Sequence, residues 1–222
     1  MCHQRQSYAA PGVTMRYQGY LAAALMFAGT CLIGWTAVRG HMLWLDEPVS
    51  AMMALRQGQS PGWLIAAMQT ISWPGGGPQR TPVVVAIALV LWRWRWRGAA
   101  AGWALALAAL ISNWISGWLK LSFARVRPEL VPHLDNVAGS LSYPSGHATS
   151  AAAVYLAFAL LSPAQWRGRM LAVAALLAFL TGLSRIMLGV HFASDVLGGW
   201  MLGTAFALLA HELCQRWSAV RP

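Results

Sequence analysis

Residues 20–38 form an apolar run of 19 residues without a single charge, and this run limits what the chain can fold into. A helix needs about 20 apolar residues to cross a hydrocarbon core of about 30 Å. The run is longer than the apolar core of a secretory signal peptide and has no evident small-residue cleavage site after it. It therefore predicts a membrane-spanning helix that is retained as an anchor.

Five further apolar segments follow, which predicts six transmembrane helices in an all-α, polytopic bundle; the additional spans cover residues 81–92, 99–119, 147–162, 170–187 and 191–210. Between the first two spans, the pattern predicts two short interfacial or re-entrant helices. The first contains Asp46 and Glu47 near its N-terminus and Pro48 in its first turn, and the second covers residues 62–73. The sequence Pro-Gly-Gly-Gly-Pro at 74–78 is the sharpest break in the chain.

The chain shows neither an internal repeat nor a linker, which predicts one membrane domain over residues 1–222. Within it we expect a cytoplasmic N-terminal segment, a six-span core and a cytoplasmic tail; these three parts are 1–19, 20–213 and 214–222.

Composition supports the membrane assignment and excludes several classes of protein. Hydrophobic residues make up 58% of the chain and charged residues only 10%, whereas soluble domains carry about 25% charged residues. This excludes a soluble enzyme and a disordered regulator. The net charge of +10 could indicate a nucleic-acid partner, but the cations lie mostly at the ends of apolar segments. We therefore attribute the charge to orientation in the membrane and expect no nucleic-acid partner.

The distribution of cations predicts which side of the membrane each loop faces. Six spans place both termini on one side, and that side carries 9 of the 16 Lys and Arg residues. Of the other seven, Lys120, Arg127 and Arg185 have a chemical explanation given below, which leaves a contrast of 9 against 4. The positive-inside rule then predicts cytoplasmic termini in the cell inner membrane, with the special residues facing the periplasm.

Three groups of polar residues remain that orientation does not explain, and all are predicted at the same face of the membrane. They are Lys120 to Pro128 with Arg127, the run Pro144-Ser145-Gly146-His147, and Ser184-Arg185 followed by His191 and Asp195. Together they supply three cations, two histidines and a carboxylate. Since a phosphate monoester carries a charge of about −1.5 to −2, this set indicates phosphoryl chemistry.

The spacing within these groups suggests individual roles. Pro-Ser-Gly before a span predicts a helix start, where backbone N–H groups and the small Gly146 admit an anion. His191 and Asp195 lie four residues apart, which predicts a shared helix face and a carboxylate that orients the imidazole. His191 is thus a candidate nucleophile and His147 a candidate acid. Asp195 would raise the pKa of His191 and the surrounding cations would lower it, so the net direction stays open.

The three groups resemble, position for position, the signature of the type 2 phosphatidic acid phosphatase superfamily: KxxxxxxRP, PSGH and SRxxxxxHxxxD. The six predicted spans resemble its integral-membrane branch, so the resemblance covers about residues 20–213. It implies that His191 attacks phosphorus, that Asp195 orients it and that His147 protonates the leaving oxygen. It also implies neither metal nor cofactor, and a set of phosphate-binding residues: Lys120, Arg127, Arg185, Ser145 and Gly146. Arg125 lies outside the signature, and its role stays open.

The superfamily also contains soluble acid phosphatases and vanadium haloperoxidases, which the predicted spans and their layout disfavour. The resemblance implies a lipid phosphate or diphosphate as substrate, and undecaprenyl diphosphate, phosphatidylglycerol phosphate, phosphatidic acid and a lipid A phosphate are all open. A non-catalytic lipid-binding or transport protein with the same fold is the alternative from another class, although the complete signature argues against it.

Overall fold

A computed structural model describes residues 17–93, 99–137 and 140–220 of the chain. Within these ranges all regular structure is helical and no β-strand occurs, which confirms the predicted all-α class. Most of the predicted N-terminal segment 1–19, the Trp and Arg residues at 94–97 and the end of the predicted tail lie outside the described residues. The α-helices are α1 (Gln18–Val38), α2 (Leu43–Met53), α3 (Gly62–Ser72), α4 (Gly77–Arg93), α5 (Ala99–Phe123), α6 (Gly146–Ala151), α7 (Ala157–Leu161), α8 (Ala164–Met187) and α9 (Ala193–Val220).

Four helices in the described part of the chain are long and apolar enough to cross a membrane, and they are α1, α5, α8 and α9. A short π-helical stretch, Ala152–Leu156, joins α6 to α7, so that Gly146–Leu161 forms one shorter apolar helix. Helix α4 has 17 residues. The chain is therefore a multi-pass membrane protein, and six spans stay a prediction because these two helices are short.

The two short helices predicted between the first spans are present as α2 and α3, and a single 3₁₀ turn, Trp73–Gly75, follows α3. Helix α4 begins at Gly77, within the glycine-rich break rather than after it. The second residue of this helix is Pro78. Proline is tolerated in the first turn because the N–H that it lacks would have no partner there, so the glycine-rich break can also begin a helix.

Helix α9 packs against α1, α5 and α6, and glycines let α6 approach it closely. A Cβ atom on Gly199 would lie 2.6 Å from the carbonyl oxygen of Ser145, and one on Gly203 would lie 2.4 Å from that of Thr149. These separations leave no room for a side chain. The small residues of α9 therefore bring α6 directly against α9.

The segment 124–145 connects α5 to α6 and is fixed at its end by a buried tyrosine. The hydroxyl of Tyr143 donates a hydrogen bond to the carbonyl oxygen of Thr30 on α1. Its ring meets the ring of Phe123 edge to face, with centroids 5.3 Å apart. Tyr143 therefore anchors the residues that immediately precede α6, which include Ser145.

Candidate active site

The histidine and carboxylate of the third polar group meet at the entrance to α9, but not on a shared helix face. The predicted sixth span begins at residue 191, whereas α9 begins at Ala193, so His191 lies in the preceding turn. This prediction was wrong because Asp195 itself caps the helix: its Oδ2 atom accepts the N–H of Phe192 at 2.9 Å. The imidazole Nδ1 of His191 lies 3.4 Å from the same Oδ2, a long contact of the kind that tightens when substrate binds.

Asp195 is fully buried, and each of its carboxylate oxygens has a partner. Oδ1 accepts from the guanidinium of Arg125 at 2.6 Å, and Oδ2 accepts from the hydroxyl of Ser142. Its carbonyl oxygen accepts the N–H of Ser145 at 3.0 Å, which joins α9 to the start of α6. These bonds fix the carboxylate that faces His191.

The second ring nitrogen of His191 faces Arg127, and this contact determines the tautomer. Nη1 of Arg127 lies 3.0 Å from Nε2 of His191. Because a guanidinium only donates, Nε2 must accept with its lone pair, and Nδ1 then carries the proton toward Asp195. Burial lowers the pKa of His191 well below its usual range, and the charges of Arg127 and Lys120 lower it further. The ring is therefore neutral at neutral pH, with Nε2 available as a nucleophile.

Lys120 and Arg127 are held by backbone carbonyls, most of them in the segment 124–145. The ammonium of Lys120 donates to the carbonyl oxygens of Leu141, at 2.6 Å, and Ser142, at 3.2 Å. Arg127 donates to the carbonyl oxygens of Ser140 and Val190. Burial and the charge of Arg185 lower the pKa of Arg127 to about 10, so it still keeps its proton at neutral pH.

Arg185 is fully buried at the end of α8 and is only partly bonded. Its Nη1 atom donates to the hydroxyl of Ser72 and, at 2.6 Å, to the carboxylate of Asp135. Its Nε and Nη2 atoms have no hydrogen-bond partner in the described part of the chain. Burying guanidinium donors without acceptors destabilises the folded protein, so these two donors indicate a binding place for an anion.

The Ser-Gly pair forms the predicted helix start, and it leaves one hydroxyl without a partner beside open space. Ser145 is the N-cap of α6, and its buried hydroxyl has no partner among the described residues. A Cβ atom on Gly146, the first residue of α6, would meet nothing within 4 Å. The N-terminus of this helix therefore presents space to an anion.

His147 packs against the glycine-rich break at 74–78, which sequence reasoning treated only as a break. A Cβ atom on Gly75 would lie 3.3 Å from Cα and Cδ2 of His147, and one on Gly76 would lie 3.3 Å from Nε2. Since nearly all real Cβ contacts are longer, the glycines allow this loop to lie against the ring. The loop thus helps to position the candidate acid.

The structure thus brings together all eight predicted site residues, from the ends of α5, α6, α8 and α9 and the segments beside them. Their catalytic and binding roles stay predictions. Sequence reasoning missed Asp46, Ser72, Asp135 and Ser142, each of which bonds a signature residue or its partner. Asp46 had the expected signal of a helix N-terminal acid, yet it is fully buried. Across the described residues, no three His, Cys, Asp or Glu side chains cluster as metal ligands.

Comparison with known proteins identifies the family of the chain. The sequence profile of the PAP2 superfamily matches residues 101–219, which contain every signature position, and the chain belongs to this superfamily. Phosphatidylglycerophosphatase B of Bacillus subtilis is 37% identical over 100 residues, which cover 42% of this chain and 46% of the relative. Lipid A 1-phosphatase of Rhizobium johnstonii is 34% identical over 114 residues, 47% of this chain and 44% of the relative.

The matched region thus spans less than half the length of these two relatives. Similarity to solved structures extends further. The crystal structure of a transmembrane PAP2-type phosphatidylglycerolphosphate phosphatase from Bacillus subtilis superposes with a TM-score of 0.77 at 26% identity. That match covers 88% of this chain and 96% of the other. The structure of Aquifex aeolicus LpxE gives a TM-score of 0.59 at 23% identity, covers 75% of this chain and 94% of the other, and supports the fold alone.

Proposed function

We propose that the chain is a membrane phosphatase that hydrolyses a lipid phosphate or diphosphate without a metal, through a phosphohistidine at His191. One observation carries this proposal. A neutral, buried imidazole has Nδ1 directed to Asp195 and Nε2 directed to Arg127, beside the unpartnered donors of Arg185. Fixed cations in such a site stabilise the charge of a transferring phosphoryl group in place of a metal ion.

In the first step, the lone pair on Nε2 of His191 attacks phosphorus while the bond to the leaving oxygen breaks. Arg127, which lies at Nε2, and the free edge of Arg185 bind the phosphoryl oxygens, together with Lys120. His147 gives its proton to the leaving oxygen, which departs as the lipid alcohol from a monoester or as the lipid monophosphate from a diphosphate. Asp195 stabilises the positive charge that develops on the imidazole.

In the second step, water attacks the phosphorus of the phosphohistidine. His147, now neutral, accepts a proton from this water, and the bond between phosphorus and Nε2 breaks. Inorganic phosphate leaves, and both histidines return to their starting states. The same two residues therefore serve both halves of the reaction, with His147 acting first as acid and then as base.

A groove along α5 supports a lipid as the substrate. It has a volume of about 570 Å³ and is lined by Trp114, Gly117, Trp118 and Leu121, with Lys120 at the same surface. The lining residues are exposed on the described structure, as lipid-facing residues would be, whereas Lys120 is half-buried. The groove thus adjoins one of the phosphate-binding cations, and an acyl or prenyl chain in it would keep its phosphate beside the site.

We expect long-chain lipid phosphates to be preferred over soluble esters, and Gly117→Trp to reduce that preference. A Cβ atom at Gly117 meets nothing within 4 Å, so an indole there fills the groove without clashing with the protein. Displacing two methylenes, at about 0.8 kcal/mol each, lowers kcat/KM for the long-chain substrate by about tenfold. The measurement is phosphate release from undecaprenyl, phosphatidylglycerol, phosphatidic acid and lipid A phosphates at fixed micelle surface concentration, with a chelator present.

A short-chain phosphate should be hydrolysed equally by the wild type and Gly117→Trp. Leu110→Trp is the matched control, because Leu110 is exposed on α5 but does not line the groove. A preference for a soluble ester such as glucose 6-phosphate would contradict the lipid assignment. A requirement for added Mg²⁺ would contradict the metal-independent mechanism, and a protein that binds these lipids without releasing phosphate would be a carrier.

The cation count further supports a location in the inner membrane with the site facing the periplasm. We expect Asn136→Cys, in the exposed segment before α6, to react with an impermeant thiol reagent in spheroplasts, in a chain whose natural cysteines are replaced by serine. Gln165→Cys, exposed at the start of α8, should react only after lysis. The reverse labelling pattern would place the site on the cytoplasmic side.

Lipid A phosphate is a second candidate substrate, favoured by the 34% identity to lipid A 1-phosphatase over 114 residues. The same panel of lipids separates it from glycerophospholipids and prenyl diphosphates. The substrate with the highest kcat/KM at equal surface concentration identifies the class.

A further inference from the structure

A buried chain of alternating charges extends from the candidate nucleophile through Asp195 and Arg125 to Asp46. Nη2 of Arg125 lies 2.6 Å from Oδ2 of Asp46, and Nη1 lies 2.6 Å from Oδ1 of Asp195. Asp195 then contacts His191. Both carboxylates are 0% exposed, so solvent does not screen these interactions. Neither Asp46 nor Arg125 belongs to the signature.

Asp46 also holds the turn that carries the catalytic carboxylate. Its Oδ1 atom accepts the N–H of Ser194 at 2.9 Å, and its Oδ2 atom accepts the hydroxyl of Ser194 at 2.6 Å. Nη1 of Arg125 donates to the same hydroxyl at 2.7 Å, and its guanidinium lies 4.4 Å from the ring centre of Phe192. Two residues from α2 and from the segment after α5 therefore converge on the first turn of α9.

We propose that Asp46 and Arg125 are positioning residues that act on His191 through Asp195. This role rests on the proposed function: the two residues let Asp195 orient the imidazole of His191 without making it strongly basic. A lone buried aspartate would orient the imidazole but would also make it strongly basic. The positive charge of Arg125 partly neutralises Asp195. Because Asp46 also binds this guanidinium, it reduces the effect of Arg125 on Asp195.

The pKa values agree with this arrangement. Burial alone would lower the pKa of Arg125, but Asp195 and Asp46 raise it above its ordinary value. Arg125 is therefore permanently charged beside Asp195. The remaining charged and titratable groups that act on His191 come from α5, the segment after it, α8 and α6, and they are Lys120, Arg127, Arg185 and His147. None of them is altered in the variants below.

Because Arg125 and Asp46 carry opposite charges, removing each charge should shift the pKa of His191 in opposite directions. Arg125→Gln leaves two uncompensated carboxylates behind His191, which raises its pKa, so the acid limb of the profile of kcat/KM against pH moves to higher pH. Asp46→Asn keeps an oxygen for the N–H of Ser194 but releases Arg125 wholly to Asp195. The acid limb then moves to lower pH. We expect Arg125→Gln also to lower kcat by about 10- to 100-fold, the loss that is typical for residues that orient the ligands of a metal site through hydrogen bonds.

The double variant Asp46→Asn/Arg125→Gln removes one positive and one negative charge, so the net charge is unchanged. It provides a second test if Arg125→Gln alone does not fold. Its acid limb should lie between those of the wild type and Arg125→Gln. The pH at which the acid limb lies should therefore rise in the order Asp46→Asn, wild type, double variant and Arg125→Gln. Arg56→Gln, at an exposed arginine, is the control and should match the wild type.

A titration of His191 by ¹⁵N NMR in detergent should give the same order without turnover. It therefore tests the positioning role even if the wild type releases phosphate from no lipid, an outcome that would contradict the proposed function alone. Equal pKa values in all four proteins, or shifts in one common direction, would overturn the proposal and leave Asp46 and Arg125 a purely structural role.

Discussion

Replacing His191 with alanine should abolish turnover, with a loss in kcat of at least about 10⁴-fold. The neutral Nε2 atom of this imidazole is the only nucleophile that the described site offers beside Arg127 and Arg185. Removing a nucleophile from a triad costs on the order of 10⁶-fold in kcat in the best-studied case. The measurement is phosphate release from the preferred lipid of the panel, with thermal unfolding in detergent to show that the variant is folded.

His147→Ala is the matched control, because it removes the other histidine of the site but leaves the nucleophile. With a good leaving group such as p-nitrophenolate, little proton donation is needed in the first step. This variant should therefore still form a phosphoenzyme that acid quenching and ³²P labelling detect, and it should hydrolyse that phosphoenzyme slowly. Labelling of His191→Ala, or substantial activity in it, would contradict the assignment of the nucleophile.

The site was predictable from the sequence because short spacers join its residues. Five residues separate Arg185 from His191, and the structure shows that this spacer is the end of α8 and one turn. Likewise, Lys120 lies in the last turn of α5, and Arg127 follows soon after it. Such local geometry constrains where the side chains of one group lie relative to each other. The three groups were joined by their predicted position at one face of the membrane and by their resemblance to the family signature.

The supporting residues could not be predicted in this way, because their partners are distant in sequence. Asp46 meets Arg125 across 79 positions, and Ser72 meets Arg185 across 113. Each is a common residue type in an ordinary helical setting, and only the packing of α2 and α3 against the later helices gives it a partner. The glycine-rich loop is similar, since its closeness to His147 depends on tertiary packing.

Helix ends were also predicted less well than helix locations. The predicted sixth span began at residue 191, but α9 begins only at Ala193, because Asp195 accepts the N–H of Phe192 and ends the preceding turn. Hydrophobicity measures which residues prefer lipid, whereas a helix start depends on capping bonds. Helix α8 begins at Ala164, six residues before the predicted span, because polar residues such as Gln165 and Arg167 extend the helix without adding to its apolar pattern.

Arg185→Gln should lower kcat/KM by about 10²- to 10³-fold, the second-largest effect that we expect. The guanidinium is 0% exposed, and Nη1 is bonded to Ser72 and Asp135. The remaining edge, Nε and Nη2, has no partner in the described part of the chain. Loss of one preorganised donor to a developing charge typically costs about 10²- to 10³-fold, and glutamine cannot supply the paired donors.

The comparison with Arg185→Lys separates charge from geometry. Lysine keeps the positive charge but provides no planar pair of donors, so it should recover only part of the lost activity. Ser72→Ala is the matched control: it removes a partner of Nη1 and leaves the free edge unchanged, and we expect less than about a tenfold loss. Vanadate, which mimics five-coordinate phosphorus, should inhibit the wild type, and its affinity should fall in parallel with kcat/KM across the three variants. Arg185→Gln with activity within tenfold of the wild type, and with unchanged vanadate affinity, would show that the unpartnered edge does not bind the phosphoryl group.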